Sequence, residues 1–110
     1  MSLLLTEEQE AIRKSARDLL RARAPMSVVR ALRETSHPDG YARELWAEMG
    51  ELGIAGLCVA AEDGGSGGSL ADVAVVMEEQ GRTLAPTPLL STVSCAAVIE
   101  RLGDAAQRAA

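Results

Sequence analysis

Between Leu45 and Leu84 the chain reads LWAEMGELGIAGLCVAAEDGGSGGSLADVAVVMEEQGRTL, an order that leaves little freedom of local structure. Leu45, Trp46, Met49 and Leu52 recur at the spacing that lines one face of a helix. Gly53 follows as the residue able to take the left-handed conformation that closes it. Ile54 to Val59 is an apolar run of small residues without helical alternation and reads as a short strand-like stretch. The acidic, glycine-rich segment Glu62 to Gly68 holds no regular structure. Ser69, with Asp72 three residues on, opens another helix through a capping box. Leu70, Val73, Ala74, Met77, Gly81 and Leu84 then form one stripe along it.

The core that such a chain can build has few rings in it. There is no phenylalanine, and Tyr41 and Trp46 are the only aromatic residues, although 47% of the chain is hydrophobic. An alanine- and leucine-rich interior suits close-packed helices better than a sheet, where β-branched and aromatic side chains dominate. The expectation is an all-α fold: one domain, residues 1–110, of about five to six helices around a glycine-rich loop. A net charge of −5 argues against a nucleic-acid partner, because phosphate contacts need clustered Lys and Arg. The basic residues between Arg13 and Arg33 have acidic neighbours and read as a solvated helix face. Cys58 and Cys95 both lie in apolar runs, which predicts buried free thiols. No apolar run approaches the ~20 residues of a membrane span. Leu3 to Leu5 is too short for the apolar centre of a secretory signal, so the expected location is cytoplasmic.

Capping signals divide the rest of the chain. Thr6 and Gln9 form a capping box opening a helix to about Arg23 that buries Ile12, Ala16, Leu19 and Leu20, with Pro25 as its stop. Ser27 is the expected cap of a short helix from Val28 to Glu34, ahead of a His37-Pro38-Asp39-Gly40 turn. The third helix is expected over Tyr41 to Leu52. Thr87 as cap with Pro88 at the first helical position predicts a helix from Leu89 to Leu102. That helix is apolar nearly all round through Ile99, so it requires cover on most sides and implies a partner surface outside this chain. Asp104 and Gln107 cap a last helix with only Arg108, Ala109 and Ala110 remaining, which reads as a truncated element.

None of the candidate sites makes a catalytic constellation. The glycines lack the Lys-Ser/Thr of a P-loop, and Leu70 stands where the dinucleotide fingerprint needs Gly or Ala. Glu62 and Asp63 would repel phosphate, and two adjacent carboxylates make no calcium loop. The loop therefore reads as a tight connector. His37 has no partner at useful spacing and is expected to be exposed. Glu78 and Glu79 point ~100° apart on a helix, so one faces solvent and they form no carboxylate dyad. Ser91, Thr92 and Ser94 either bond back to their helix backbone or line a polar spot in a pocket. Cys58 has no nearby base and reads as core packing.

Taken in order, Leu5-Thr6-Glu7-Glu8-Gln9, Leu45-Trp46, Glu51-Leu52-Gly53-Ile54-Ala55-Gly56-Leu57, the Gly64 to Ser69 loop, Glu78-Glu79 with Gly81-Arg82, Pro88-Leu89-Leu90 and the Gly103-Asp104 to Gln107 junction resemble the N-terminal helical domain of the acyl-CoA dehydrogenases. Ala60 stands where that family commonly has proline, and Asp63 where it commonly has an aromatic residue. The resemblance implies a flavoenzyme with FAD as cofactor and an acyl-CoA thioester as substrate. It would be assembled with a middle β-domain and a C-terminal helical bundle, usually as a homo- or hetero-oligomer. In that family the catalytic base and nearly all FAD contacts lie outside the matching segment, so no catalytic residue is assigned here and FAD is not expected to be held by this chain alone. The family's N-terminal domain supplies part of the acyl-pocket wall through the helix matching Leu89 to Leu102. By that analogy Leu89, Thr92, Val93 and Ala96 are the expected pocket-lining residues. A free-standing helical interaction module, or a small partner subunit without activity of its own, is the alternative reading.

Overall fold

Two parallel helices set the frame of the structure, a computed structural model that describes residues 4–110. They are α1 (Glu7–Arg23) and, after α2 (Met26–Glu34) and α3 (Arg43–Glu51), α4 (Leu70–Thr83). Gln9 Nε2 donates to Asp72 Oδ1 at 3.1 Å near both N-termini, and Arg17 meets Glu79 about two turns further along both helices. Matching ends in the same order mean that α1 and α4 run side by side in one direction. Parallel neighbours cannot be joined by a tight turn, so α2, α3 and the glycine loop carry the chain back to the start of α4. Helices α5 (Leu89–Leu102) and α6 (Ala105–Ala109) complete an all-helical fold, with one 3₁₀ turn at Ala61–Asp63 and no strand among the described residues.

Three capping boxes form where the sequence places them, at Thr6/Gln9, Ser69/Asp72 and Asp104/Gln107. Each satisfies orphan amides at a helix start, a contribution of about 1 kcal/mol per cap. Gly53, with φ +80°, closes α3 in the left-handed region that a side chain disfavours. Four helices supply most of the core: Ala16 and Leu20 from α1, Leu45 and Met49 from α3, Val73 and Val76 from α4, Leu89 and Val93 from α5. Ile12, Leu19 and Trp46 pack against its edge.

Several local expectations are corrected. Ile54 to Val59 is not strand-like but folds into consecutive turns, with Leu57 N–H donating to Ile54 O and Val59 N–H to Gly56 O. A strand needs a neighbouring edge for its backbone groups, and none is present among the described residues. Ser27 does not cap α2; Pro25 occupies the cap position and the helix begins at Met26. Helix α3 starts at Arg43 rather than Tyr41, because Ala42 N–H is drawn to Pro86 O at 2.8 Å. Thr87 does not cap α5 either; its hydroxyl bonds Gln80 Oε1 at 2.8 Å and Pro88 takes the cap position. The α4 stripe is also divided: Val73 is buried, but Leu70 and Leu84 are 58% and 61% exposed, and Val75, Val76 and Glu79 are buried instead. Cys58 is half-buried and Cys95 is exposed, so neither is the fully buried thiol expected of it. Cys95 has apolar neighbours in the chain, but the packing turns its side of α5 outward.

The glycine loop is held by its own backbone. Ser66, Gly67 and Gly68 donate to the carbonyls of Gly56, Val59 and Leu57 at 2.8–3.0 Å, folding the loop back on the turns before it. That approach is close enough that a Cβ at Gly65 would overlap the Val59 carbonyl and side chain. Gly65→Ala is expected to destabilise the domain by about 1–3 kcal/mol, read from the urea midpoint at unchanged slope.

Candidate functional site

An open apolar groove of about 450 Å³ runs between α4 and α5. Leu70, Ala74 and Met77 form the α4 side, Leu90 and Ala97 the α5 side, and Val73 and Val93 the buried floor. Ser94 is also among its lining and adds one hydroxyl. The depth of the groove follows from residue size: Ala74, Ser94 and Ala97 are small where larger side chains would bring the helices' surfaces into contact. Unsubstituted apolar surface of this kind is favourable to cover, at roughly 25 cal/mol per Å² removed from water.

The four pocket residues expected from the sequence are not all brought together here. Val93 lies in the groove, while Leu89 is wholly buried in the core and Thr92 and Ala96 are half-buried on α5 outside the lining. Leu90 and Ala97 lie outside the expected set, and Ser94 takes the lining alternative left open for its hydroxyl; the three recur at helical spacing just as Leu89, Val93 and Ala96 do. A helix apolar nearly all round gives no indication of which face its neighbours will take. The α4 contribution did have a signal, since Leu70, Val73, Ala74 and Met77 are four consecutive members of its stripe.

Behind the groove, α1 and α4 are locked by a bidentate ion pair. Arg17 Nε and Nη2 donate to Glu79 Oε2 and Oε1 at 3.0 and 2.6 Å. Glu79 is 2% exposed, whereas Glu78 is 63% exposed and pairs with Arg82 at 3.0 Å. The two glutamates diverge as expected on a helix, one buried and one facing solvent, and Arg82 reaches both, with Glu79 Oε1 at 3.6 Å from its Nε. The Arg17 hydrogen bond, aided by the charges of Arg17, Arg82 and Arg13, holds Glu79 below the ordinary carboxylate range against the opposing effect of burial. Asp72 is likewise lowered, first by the Ser69 backbone amide it accepts from and then by Gln9.

The remaining candidates have local tasks. Ser91 donates back to Pro88 O at 3.1 Å, the helix-backbone alternative for that hydroxyl. His37 Nδ1 accepts the Asp39 amide in the expected turn, where Gly40 N–H closes on His37 O at 3.1 Å. The amides of Gly64, Gly65, Ser66, Gly67 and Gly68 all donate to carbonyls within the segment Gly56 to Ala61. A loop whose amides are engaged in this way does not fit a phosphate or the pyrophosphate of a flavin nucleotide. No group of three or more potential metal-ligating side chains occurs among the described residues.

Residues 6–110 match the family model described as acyl-CoA dehydrogenase, N-terminal domain. The chain belongs to the acyl-CoA dehydrogenase family. It is similar to acyl-CoA dehydrogenase IpdE2 of Mycolicibacterium smegmatis, with 44% identity over 89 residues covering 80% of this chain and 28% of that protein. IpdE2 of Mycobacterium tuberculosis is 40% identical over 87 residues, covering 78% of this chain and 27% of the relative. Acyl-CoA dehydrogenase FadE34 of the same organism is 30% identical over 105 residues, covering 90% and 15%. The chain therefore spans little more than a quarter of the length of the IpdE2 relatives. No solved structure matches it. Among the described residues no helix is long and apolar enough to cross a membrane.

The buried pair makes a definite stability prediction for this acyl-CoA dehydrogenase domain. Arg17→Met leaves Glu79 buried with only Arg82 near it, at 3.6 Å, and should cost about 3 kcal/mol at neutral pH. Because Glu79 is depressed on folding, its contribution is complete above the ordinary carboxylate pKa and is lost as pH falls through the lowered value. Urea midpoints taken from neutral to acidic pH should fall less steeply in Glu79→Gln than in the parent chain.

Proposed function

We propose that this chain serves as the N-terminal helical part of an FAD-dependent acyl-CoA dehydrogenase and that its α4/α5 groove forms one wall of the acyl pocket. The observation that carries this reading is the groove itself: apolar, open along one side, and built on the helix that the family resemblance assigns to the pocket. Val93 is the residue common to that assignment and to the groove, with Leu89 supporting it from the core. Thr92 and Ala96 occupy the adjoining half-buried surface of α5. The reaction is the α,β-dehydrogenation of an acyl-CoA thioester, for which FAD supplies the hydride acceptor. The groups that contact FAD and remove the α-proton belong, on this reading, to the polypeptide that completes the enzyme. This chain's own part is to exclude water from the acyl group and to limit its shape.

The outward side of α5 favours such a completing partner. Val98 is 57% exposed and Leu102 83%, and with Ile99 and Gln107 they flank a second shallow apolar depression at the α5–α6 junction. Apolar surface of this kind marks a contact face. The isolated chain is expected to bind a hydrophobic dye or to self-associate in light scattering, and a compact monomer that binds no dye would instead favour a self-sufficient helical module.

The pocket reading is tested by filling the groove. Ala97→Phe in the assembled flavoenzyme should reduce kcat/KM for long or branched acyl-CoAs by about tenfold or more while sparing short ones, at ~1–3 kcal/mol per methylene excluded. A uniform loss across chain lengths with a lowered Tm would place Ala97 at a packing contact and remove the groove from the pocket.

A further inference from the structure

Thr87 carries a capping signal that α5 does not use, and its hydroxyl is committed to α4 instead. The turn that joins the two helices, residues 84–88, is fixed at several points. Leu84 closes α4 in the left-handed conformation, with φ +53°. Ala85 is buried in the core, and its N–H donates to Gln80 O at 3.1 Å. Pro86 O accepts the Ala42 amide, which ties the turn to the start of α3. The rings of Pro86 and Pro88 restrict two of the φ angles. Thr87 Oγ1 then donates to Gln80 Oε1 at 2.8 Å. Among the described residues this is the only side-chain hydrogen bond between α4 and the segment that leads into α5.

The pair stands where the two walls of the acyl groove begin to part. Gln80 follows Val73 and Met77 at helical spacing, so it extends the α4 wall one turn past its last lining residue. Thr87 lies three residues before Leu90, the first lining residue of the α5 wall. Leu89 and Val93 hold α5 to the core by apolar packing. Packing of that kind is non-directional: it fixes how near α5 lies while defining its tilt only weakly. A hydrogen bond has a preferred length and angle, so it can define the tilt. Both partners are half-buried, where water replaces a lost bond less readily than at an exposed position.

We infer that Gln80 and Thr87 are a positioning pair whose hydrogen bond holds the α4 and α5 walls of the groove at a set separation. On the acyl-pocket reading, on which this consequence rests, the pair limits the width of the acyl group that the enzyme accepts. Neither side chain lines the groove, so the pair acts through the helices and does not touch the substrate. Losing the bond frees the start of α5 to swing away from α4, and the groove then admits wider acyl groups.

Thr87→Val removes the hydroxyl and keeps the branched shape. In the assembled flavoenzyme it should raise kcat/KM for branched acyl-CoAs relative to straight-chain ones by about fivefold, the equivalent of one net hydrogen bond. In the same enzyme with labelled methyl groups, the nuclear Overhauser effect across the groove between Met77 and Leu90 should weaken. Thr87→Ser retains the hydroxyl and should match the parent in both measurements. Gln80→Met removes the acceptor and should reproduce Thr87→Val, and the double variant should add nothing to either single change. Thr83→Val deletes a neighbouring hydroxyl that bonds only within α4, to Gln80 O at 3.4 Å, and should leave both measurements unchanged. An unaltered Overhauser effect in Thr87→Val, or a Thr87→Ser variant that behaves like Thr87→Val, overturns the pair. A weakened Overhauser effect with an unchanged acyl-CoA profile keeps the pair as the spacer of the two helices and removes the groove from the pocket.

Discussion

The parallel contact of α1 with α4 is the constraint from which the rest of the domain follows. It is pinned near the helix starts by Gln9 and Asp72 and about two turns on by Arg17 and Glu79. Two capping boxes take part in the first of these ties, so the residues that start each helix also set their relative height. The second tie places a carboxylate at 2% exposure, which is tolerable only because a bidentate guanidinium and a nearby second arginine compensate it. A misaligned α4 would leave that charge unpaired in the interior. The pair therefore acts against alternative registers more than it adds net stability.

A parallel pair needs a long return, and the intervening chain is shaped accordingly. Helix α3 closes at Gly53, the apolar run makes consecutive turns, and the glycine loop folds back until its amides reach carbonyls of the residues just before it. The loop is well suited to delivering Ser69 to the start of α4 and unsuited to holding an external anion. Glycine is required here for close backbone approach, not for a ligand.

Helix α5 joins the core through Leu89 and Val93 and leaves the rest of its apolar surface outside. A contact made on one side of an all-round apolar helix necessarily exposes the other sides, and those sides are where the groove and the α5–α6 depression lie. The arginines gather beyond α4, so apolar and cationic surfaces are kept on different sides of one frame.

The sequence alone determined the all-helical class, the three capping boxes, the glycine closure of α3, the connector role of the loop and the family resemblance. Each of these depends on residues close together in the chain, where propensity and capping chemistry act directly. What needed the tertiary structure were features joining distant positions. Arg17 and Glu79 are 62 residues apart, and nothing in either neighbourhood marks them as partners. Thr87 had a well-formed capping signal, yet a side chain on α4 took its hydroxyl. Leu89, Thr92, Val93 and Ala96 share a face with proper helical spacing, but only Val93 enters the groove. Periodicity defines the faces of a helix; it is the neighbouring helices, competing for the same apolar surface, that decide which face is buried and which is left uncovered.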